Sequence, residues 1–196
     1  RQEVLSEKKT IVACSTPPGR GAISTVRLSG NKAIDIIQKI TRKKLKKKSH
    51  ILNFPLDKAL KEKCVLTIYR SPNSYTGENV VEISTHGNPL IVEKVIQQCL
   101  NAGAFIAEPG EFTLRAYLNN KLTIDQSEAV IDVINANSSA SLKAAQNSLD
   151  GGLRVRISKV QQKLRETRVL VETLIDFVDE DVNICLLYTS DAADES

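Results

Sequence analysis

The sequence has no tryptophan and no methionine, and aromatic residues make up 4% of its 196 positions. It has no apolar run of about 18 residues or more, which excludes a spanning helix. Its opening, RQEVLSEKKT, lacks an apolar signal region, so secretion is not expected. The missing initiator Met points to a fragment. The four cysteines, Cys14, Cys64, Cys99 and Cys185, are scattered, and none forms a C-x-x-C pair. That spacing argues against a disulfide framework or a zinc site and for reduced thiols in a cytoplasmic protein. Two isolated histidines, His50 and His86, do not make a metal cluster. No G-x-x-x-x-G-K-[ST] is present, since none of the nine glycines is followed by lysine.

What is present suffices for a folded core. Hydrophobic residues make up 41% of the chain. Charge is uneven: residues 1–121 carry 20 Lys/Arg against 10 Asp/Glu, and residues 122–196 carry 7 against 13. Six of the basic groups lie in RKKLKKK, Arg42 to Lys48. A solvated helix end or loop is the preferred reading of that run. Its charge also suits RNA phosphates, although no aromatic residue is interleaved for base stacking.

Hydrophobic periodicity predicts strands at IVACS (Ile11–Ser15), AISTVRLS (Ala22–Ser29), CVLTIYR (Cys64–Arg70) and within SYTGENVVEISTHG (Ser74–Gly87). NKAIDIIQKIT reads as a short amphipathic helix, and Asn88 followed by Pro89 starts another that Gly103 closes. AFIAE is expected to be a strand. From about Leu122 to Leu149 the pattern is helical and Ala-rich, up to a break at Gly151-Gly152. Leu153, Ile157, Val160, Leu164, Thr167, Val171, Leu174 and Val178 then form a heptad seam on a helix of roughly 39 Å, which needs a neighbouring helix or subunit to cover it. CLLYTSDAADES, from Cys185, has no period and reads as a translated sequencing adapter, so the coding sequence proper is expected to end near Asn183.

Glu82 sits at the centre of the Ser74–Gly87 strand. It either faces solvent, as one side of a strand commonly does, or receives hydrogen bonds from a ligand.

Three motifs bear on that choice: TPPGRGAISTVRLSG (Thr16–Gly30), SPNSYTGENVVEISTHGN (Ser71–Asn88) and EPGEFTLRAYLNNKLTIDQSEAV (Glu108–Val130). In this order they closely resemble the N-terminal region of the tRNA-modification GTPases of the MnmE family, also called TrmE. The resemblance runs from about Thr10 to Val182. IDFVDEDV resembles the family's stretch before its GTPase domain, with Val178 where the family usually has proline.

The resemblance implies an α+β fold. A mixed-sheet, aminomethyltransferase-like domain that binds folate and dimerises (10–121) follows a polar extension (1–9). The first part of a helical domain comes next (122–183), then the adapter-like tail (184–196). It implies 5-formyltetrahydrofolate or a related tetrahydrofolate as ligand, and contacts from Arg27, Glu82 and Lys121. The residue types agree: a pterin presents two adjacent donors that one carboxylate accepts, and the folate tail needs cations. His86 and Arg115 are possible site neighbours or structural residues. No nucleophile–base set occurs, so no catalytic residue is assigned in this chain. For the whole protein the resemblance implies GTP hydrolysis with K⁺ and Mg²⁺ in a G domain beyond Asn183. It also implies a homodimer, an FAD-dependent MnmG partner, and tRNA as substrate for wobble-uridine modification to 5-carboxymethylaminomethyluridine. A free-standing folate-dependent one-carbon transferase and a non-catalytic interaction module are the alternatives.

Overall fold

The computed structural model describes residues 9–176. Val178, the acidic stretch after it and the adapter-like tail lie outside the described residues. The chain divides between Ser127 and Glu128 into two compact units.

The first unit is built on a six-stranded mixed sheet of order β3-β4-β5-β2-β1-β6. The strands are β1 (Ile11–Cys14), β2 (Gly21–Ser29), β3 (Ser49–Pro55), β4 (Lys61–Tyr69), β5 (Val80–Gly87) and β6 (Phe105–Ile106). All neighbours are antiparallel except β1 and β6. Helices α1 (Ala33–Thr41) and α2 (Pro89–Asn101) pack on one face. Alternation decides which side chains meet them. Val26 and Leu28 of β2, Leu52 and Phe54 of β3, Leu66 and Ile68 of β4, and Val81 and Ile83 of β5 join Ile34, Ile37, Val95 and Cys99 of the helices in one core. Arg27 and Glu82, at the intervening positions, point to the other face. α2 begins as the sequence predicts: the Asn88 side chain accepts the Leu90 amide at 2.9 Å, and Pro89 takes the first turn, where its missing N–H costs nothing.

Three elements differ from the sequence reading. β3 was not assigned, because a lysine run leads into it and only Leu52 and Phe54 of its seven residues are fully buried. AFIAE supplies just two strand residues, paired with the short β1. A helix absent from the reading, α3 (Glu111–Leu118), follows Gly110 and buries only Ala116, so its apolar stripe is too narrow for periodicity to reveal.

The second unit is helical. The helical, Ala-rich stretch from about Leu122 to Leu149 is two helices, α4 (Ile124–Asn135) and α5 (Ser139–Leu149). Ser138 and Ser141 form a reciprocal cap that starts α5. After Gly151, α6 runs from Gly152 to Asp176. Along its seam Leu153, Ile157, Val160, Leu164 and Val171 are exposed.

Candidate functional site

Register brings the first two site residues together. Arg27 on β2 lies directly opposite Glu82 on β5. The guanidinium grips a single carboxylate oxygen: Nη2 lies 2.7 Å from Oε1, and Nε donates to the same atom at 2.9 Å. The other oxygen, Oε2, receives only a long 3.5 Å contact from the Tyr69 hydroxyl. Both partners remain about one quarter exposed, at 26% and 23% of the side chain. Glu82 is therefore neither fully solvated nor fully committed. It holds one cation and keeps an acceptor for another donor.

Rings surround this pair. The Arg27 guanidinium carbon sits 5.6 Å from the Tyr75 ring centre and 5.7 Å from that of Phe112. Such distances allow cation–π attraction from two sides. Tyr69 closes a third side. Burial and then the Glu82 charge push its hydroxyl above the usual tyrosine range. The chain has eight aromatic residues, and three of them gather here. The sequence reading did not single out Tyr69, Tyr75 or Phe112. The available signal was that Tyr75 and Phe112 lie inside two of the long family-like motifs.

A buried polar cluster holds the wall of the site. The loop between β4 and β5 carries Glu78, 5% exposed, whose Oε2 accepts from the Ser29 hydroxyl at 2.8 Å and from Arg115 Nη1 at 3.0 Å. Ser29 also bonds the Thr76 hydroxyl at 2.7 Å. Arg115 reaches Glu111 as well, with Nη2 2.7 Å from its Oε1. The Arg115 guanidinium is thus shared between two carboxylates, and it ties α3 to the loop that presents Tyr75. Tyr75 adds its own tie, a 2.9 Å bond between its hydroxyl and that of Thr113.

Lys121 borders the same loop. A Cβ on Gly77 would lie 3.2 Å from Lys121 Cγ and 3.5 Å from Cδ. Gly77 has φ +75, where a side chain is strained, so glycine serves both the turn and the lysine stem. Lys121 is exposed and makes no ion pair with another described residue. The loop is the common wall: Tyr75 stands over Arg27, and Gly77 lies against Lys121.

His86 is placed elsewhere. It lies four residues along β5 from Glu82, about 13 Å at strand rise. Its Nδ1 is 2.6 Å from Glu62 Oε1, which also accepts the His86 amide at 3.1 Å. Among the described residues no group of His, Cys, Asp and Glu is arranged to hold a metal ion, and no helix is long and apolar enough to cross a membrane. In the second unit a shallow concavity of about 600 Å³ lies between α4 and α5. Asn135, Ser138, Ser141 and Ala145 help line it, with Asp132 the one charged residue.

A mixed sheet with helices on one face and a caged ion pair on the other, joined to a separate helical unit, defines an α+β protein of two parts. Comparison with known families specifies which. The model described as GTP-binding protein TrmE N-terminus matches residues 10–121, and the MnmE helical domain matches residues 124–190. The chain is 45% identical over 177 residues to proteins named tRNA modification GTPase MnmE from Francisella tularensis subsp. holarctica (strain OSU18) and from Francisella philomiragia subsp. philomiragia. Each alignment covers 90% of this chain and 39% of the relative. The chain belongs to the MnmE (TrmE) family and corresponds to its N-terminal part, spanning about two fifths of the length of these relatives.

Proposed function

We propose that this chain is the tetrahydrofolate-binding and dimerising portion of a tRNA-modification GTPase. The whole protein would hydrolyse GTP with K⁺ and Mg²⁺ in a G domain beyond the matched segment. It would act in the cytoplasm with an FAD-dependent MnmG partner, on the wobble uridine of tRNA. Membership of the family supports this reading, and the observation that carries the folate part is the half-committed carboxylate of Glu82.

The residues present fit a reduced pterin. The ligand offers a 2-amino group and a ring N–H side by side. Glu82 Oε2 has acceptor capacity to spare, while Oε1 is shared with Arg27. Arg27 orients Glu82 through two bonds to Oε1. Tyr69, Tyr75 and Phe112 supply apolar walls for a flat ring and limit water around the pair. Lys121, exposed beside Gly77, suits a carboxylate tail. A bidentate grip on the pterin requires Arg27 to tolerate a second donor on Oε1 or to shift along it. This chain binds and orients; no residue in it is assigned a bond-making step.

Calorimetric titration with 5-formyltetrahydrofolate tests the binding. Saturable heat together with a raised melting temperature is expected. Absence of both the heat and the melting shift would remove folate from the proposal. The GTPase part is tested by reading the gene beyond Asn183, where a G-x-x-x-x-G-K-[ST] sequence should follow.

A further inference from the structure

The basic run leads into β3 and is not used by the site just described. Of its seven residues only Leu45 is buried, at 3% exposure. Arg42, Lys43, Lys44, Lys46, Lys47 and Lys48 are all exposed, and none of them forms an ion pair with another described residue. The loop is held in shape nonetheless. Arg42 caps α1 in a left-handed conformation with φ 53. The Leu45 amide donates to Gln38 Oε1 at 3.0 Å, and Arg70 Nη2 donates to the Leu45 carbonyl at 3.4 Å. The Lys48 carbonyl accepts the Ile68 amide at 2.7 Å. Six like charges therefore project from one short loop whose backbone is held, and none is paired within the described residues. Such a patch gains most from a polyanion.

The patch also adjoins the candidate site. The Lys48 ammonium lies 5.9 Å from the Tyr69 ring centre, and the hydroxyl of that ring is 3.5 Å from Glu82 Oε2. One aromatic ring thus separates the basic loop from the Arg27–Glu82 pair.

We propose that the 42–48 loop docks the phosphate backbone of an RNA beside the Arg27–Glu82 site; this rests on the reading above that the protein acts on tRNA. The contact is one of charge, not of base recognition, because the run contains no aromatic residue. A membrane surface fits less well. The loop's single apolar residue is buried in the core and has nothing to insert.

The test uses the 196-residue chain and an unmodified tRNA transcript, with binding followed by anisotropy from about 50 to 200 mM salt. Each phosphate neutralised contributes roughly 0.7–0.9 to the slope of log K against log salt, so replacing four lysines should lower the slope by about 3. The variant is Lys43→Gln/Lys44→Gln/Lys46→Gln/Lys47→Gln, which spares the Arg42 cap and the Lys48 contact with Tyr69. It should bind tRNA at least about tenfold more weakly at low salt with an unchanged melting temperature. The matching Lys→Arg variant should bind like the parent. An unchanged slope and affinity in the folded Gln variant would overturn the assignment. So would loop-dependent binding to phosphatidylserine vesicles without binding to tRNA. A folate titration on the same samples keeps the two proposals apart. Retained folate binding with no effect on tRNA removes only the loop assignment, whereas absent folate binding with the tRNA effect intact removes only the folate reading.

Discussion

Arg27 and Glu82 face each other across β2 and β5, and two guanidinium nitrogens of Arg27 bond the same oxygen of Glu82, at 2.7 and 2.9 Å. This asymmetry gives the site its chemistry. A pair with one guanidinium bond to each carboxylate oxygen would engage both oxygens and leave less acceptor capacity for a ligand. The observed pair, with both nitrogens converging on Oε1, leaves Oε2 with one long tyrosine contact.

Replacing Glu82 by Gln should separate binding from stability. The amide puts a donor where the pterin also donates, and it surrenders the charge. Loss of about 2–4 kcal/mol of folate binding is expected, roughly 30- to 1000-fold in Kd. The pair is about a quarter exposed, so its loss should cost no more than about 1 kcal/mol of folding. Calorimetry beside a thermal melt reads both quantities. Parent-like affinity in a folded variant would mean that Glu82 only partners Arg27.

The sequence made parts of this arrangement legible and hid others for identifiable reasons. Alternation within β5 located Glu82 on a strand, and the motifs selected Arg27. Their pairing with each other depends on a register between residues 55 apart, which no local pattern encodes. Glu78 lies in a quoted motif yet looks like a turn residue, because its partners Ser29 and Arg115 come from other elements. Asn88-Pro89 was readable because a helix cap is local chemistry. β3 was not, because its entry is a run of lysines and three of its residues face solvent.

Arg115 should prove structural. It is 13% exposed in its side chain and serves Glu78, 5% exposed, and Glu111. Arg115→Met strands the buried Glu78 carboxylate, and a loss of about 3–5 kcal/mol is expected. Adding Glu78→Gln should recover part of that loss, since the buried charge at Glu78 is then gone. Chemical denaturation of both variants measures this. A single variant within about 0.5 kcal/mol of the parent would contradict the role assigned to the cluster.

Asp57 supplies a pH dependence. The hydrogen bond from Lys94, with backbone amides of Leu60 and Ala59, holds its carboxyl down at about 2, against 3.8 for an unperturbed aspartate. A carboxylate with a lowered folded pKa favours the fold above the unfolded value and loses that contribution as pH falls toward the folded one. Asp57→Asn should therefore remove part of the stability lost between pH 3.8 and about 2 and leave that window flatter. Melting curves of parent and variant across it decide. Parallel curves would show that ionisation of Asp57 is not linked to folding.

Lys121 and Arg27 should divide the ligand between them. Arg27 is caged by Tyr75 and Phe112 and bound to Glu82, so its charge is already engaged. Lys121 is exposed, its stem lies along Gly77, and it makes no ion pair with another described residue, which leaves its ammonium available to the glutamate tail. An exposed charge contact of this kind is worth about 1 kcal/mol. Lys121→Gln should therefore weaken 5-formyltetrahydrofolate roughly fivefold and do so less at high salt. A 5-formyltetrahydropterin lacking the tail should bind parent and variant alike. Arg27→Gln should weaken both ligands, because it frees Glu82 to reorient and removes the cation from the ring cage. If Lys121→Gln weakened the tail-less pterin as much as the complete folate, Lys121 would belong at the pterin end and the assignment would reverse.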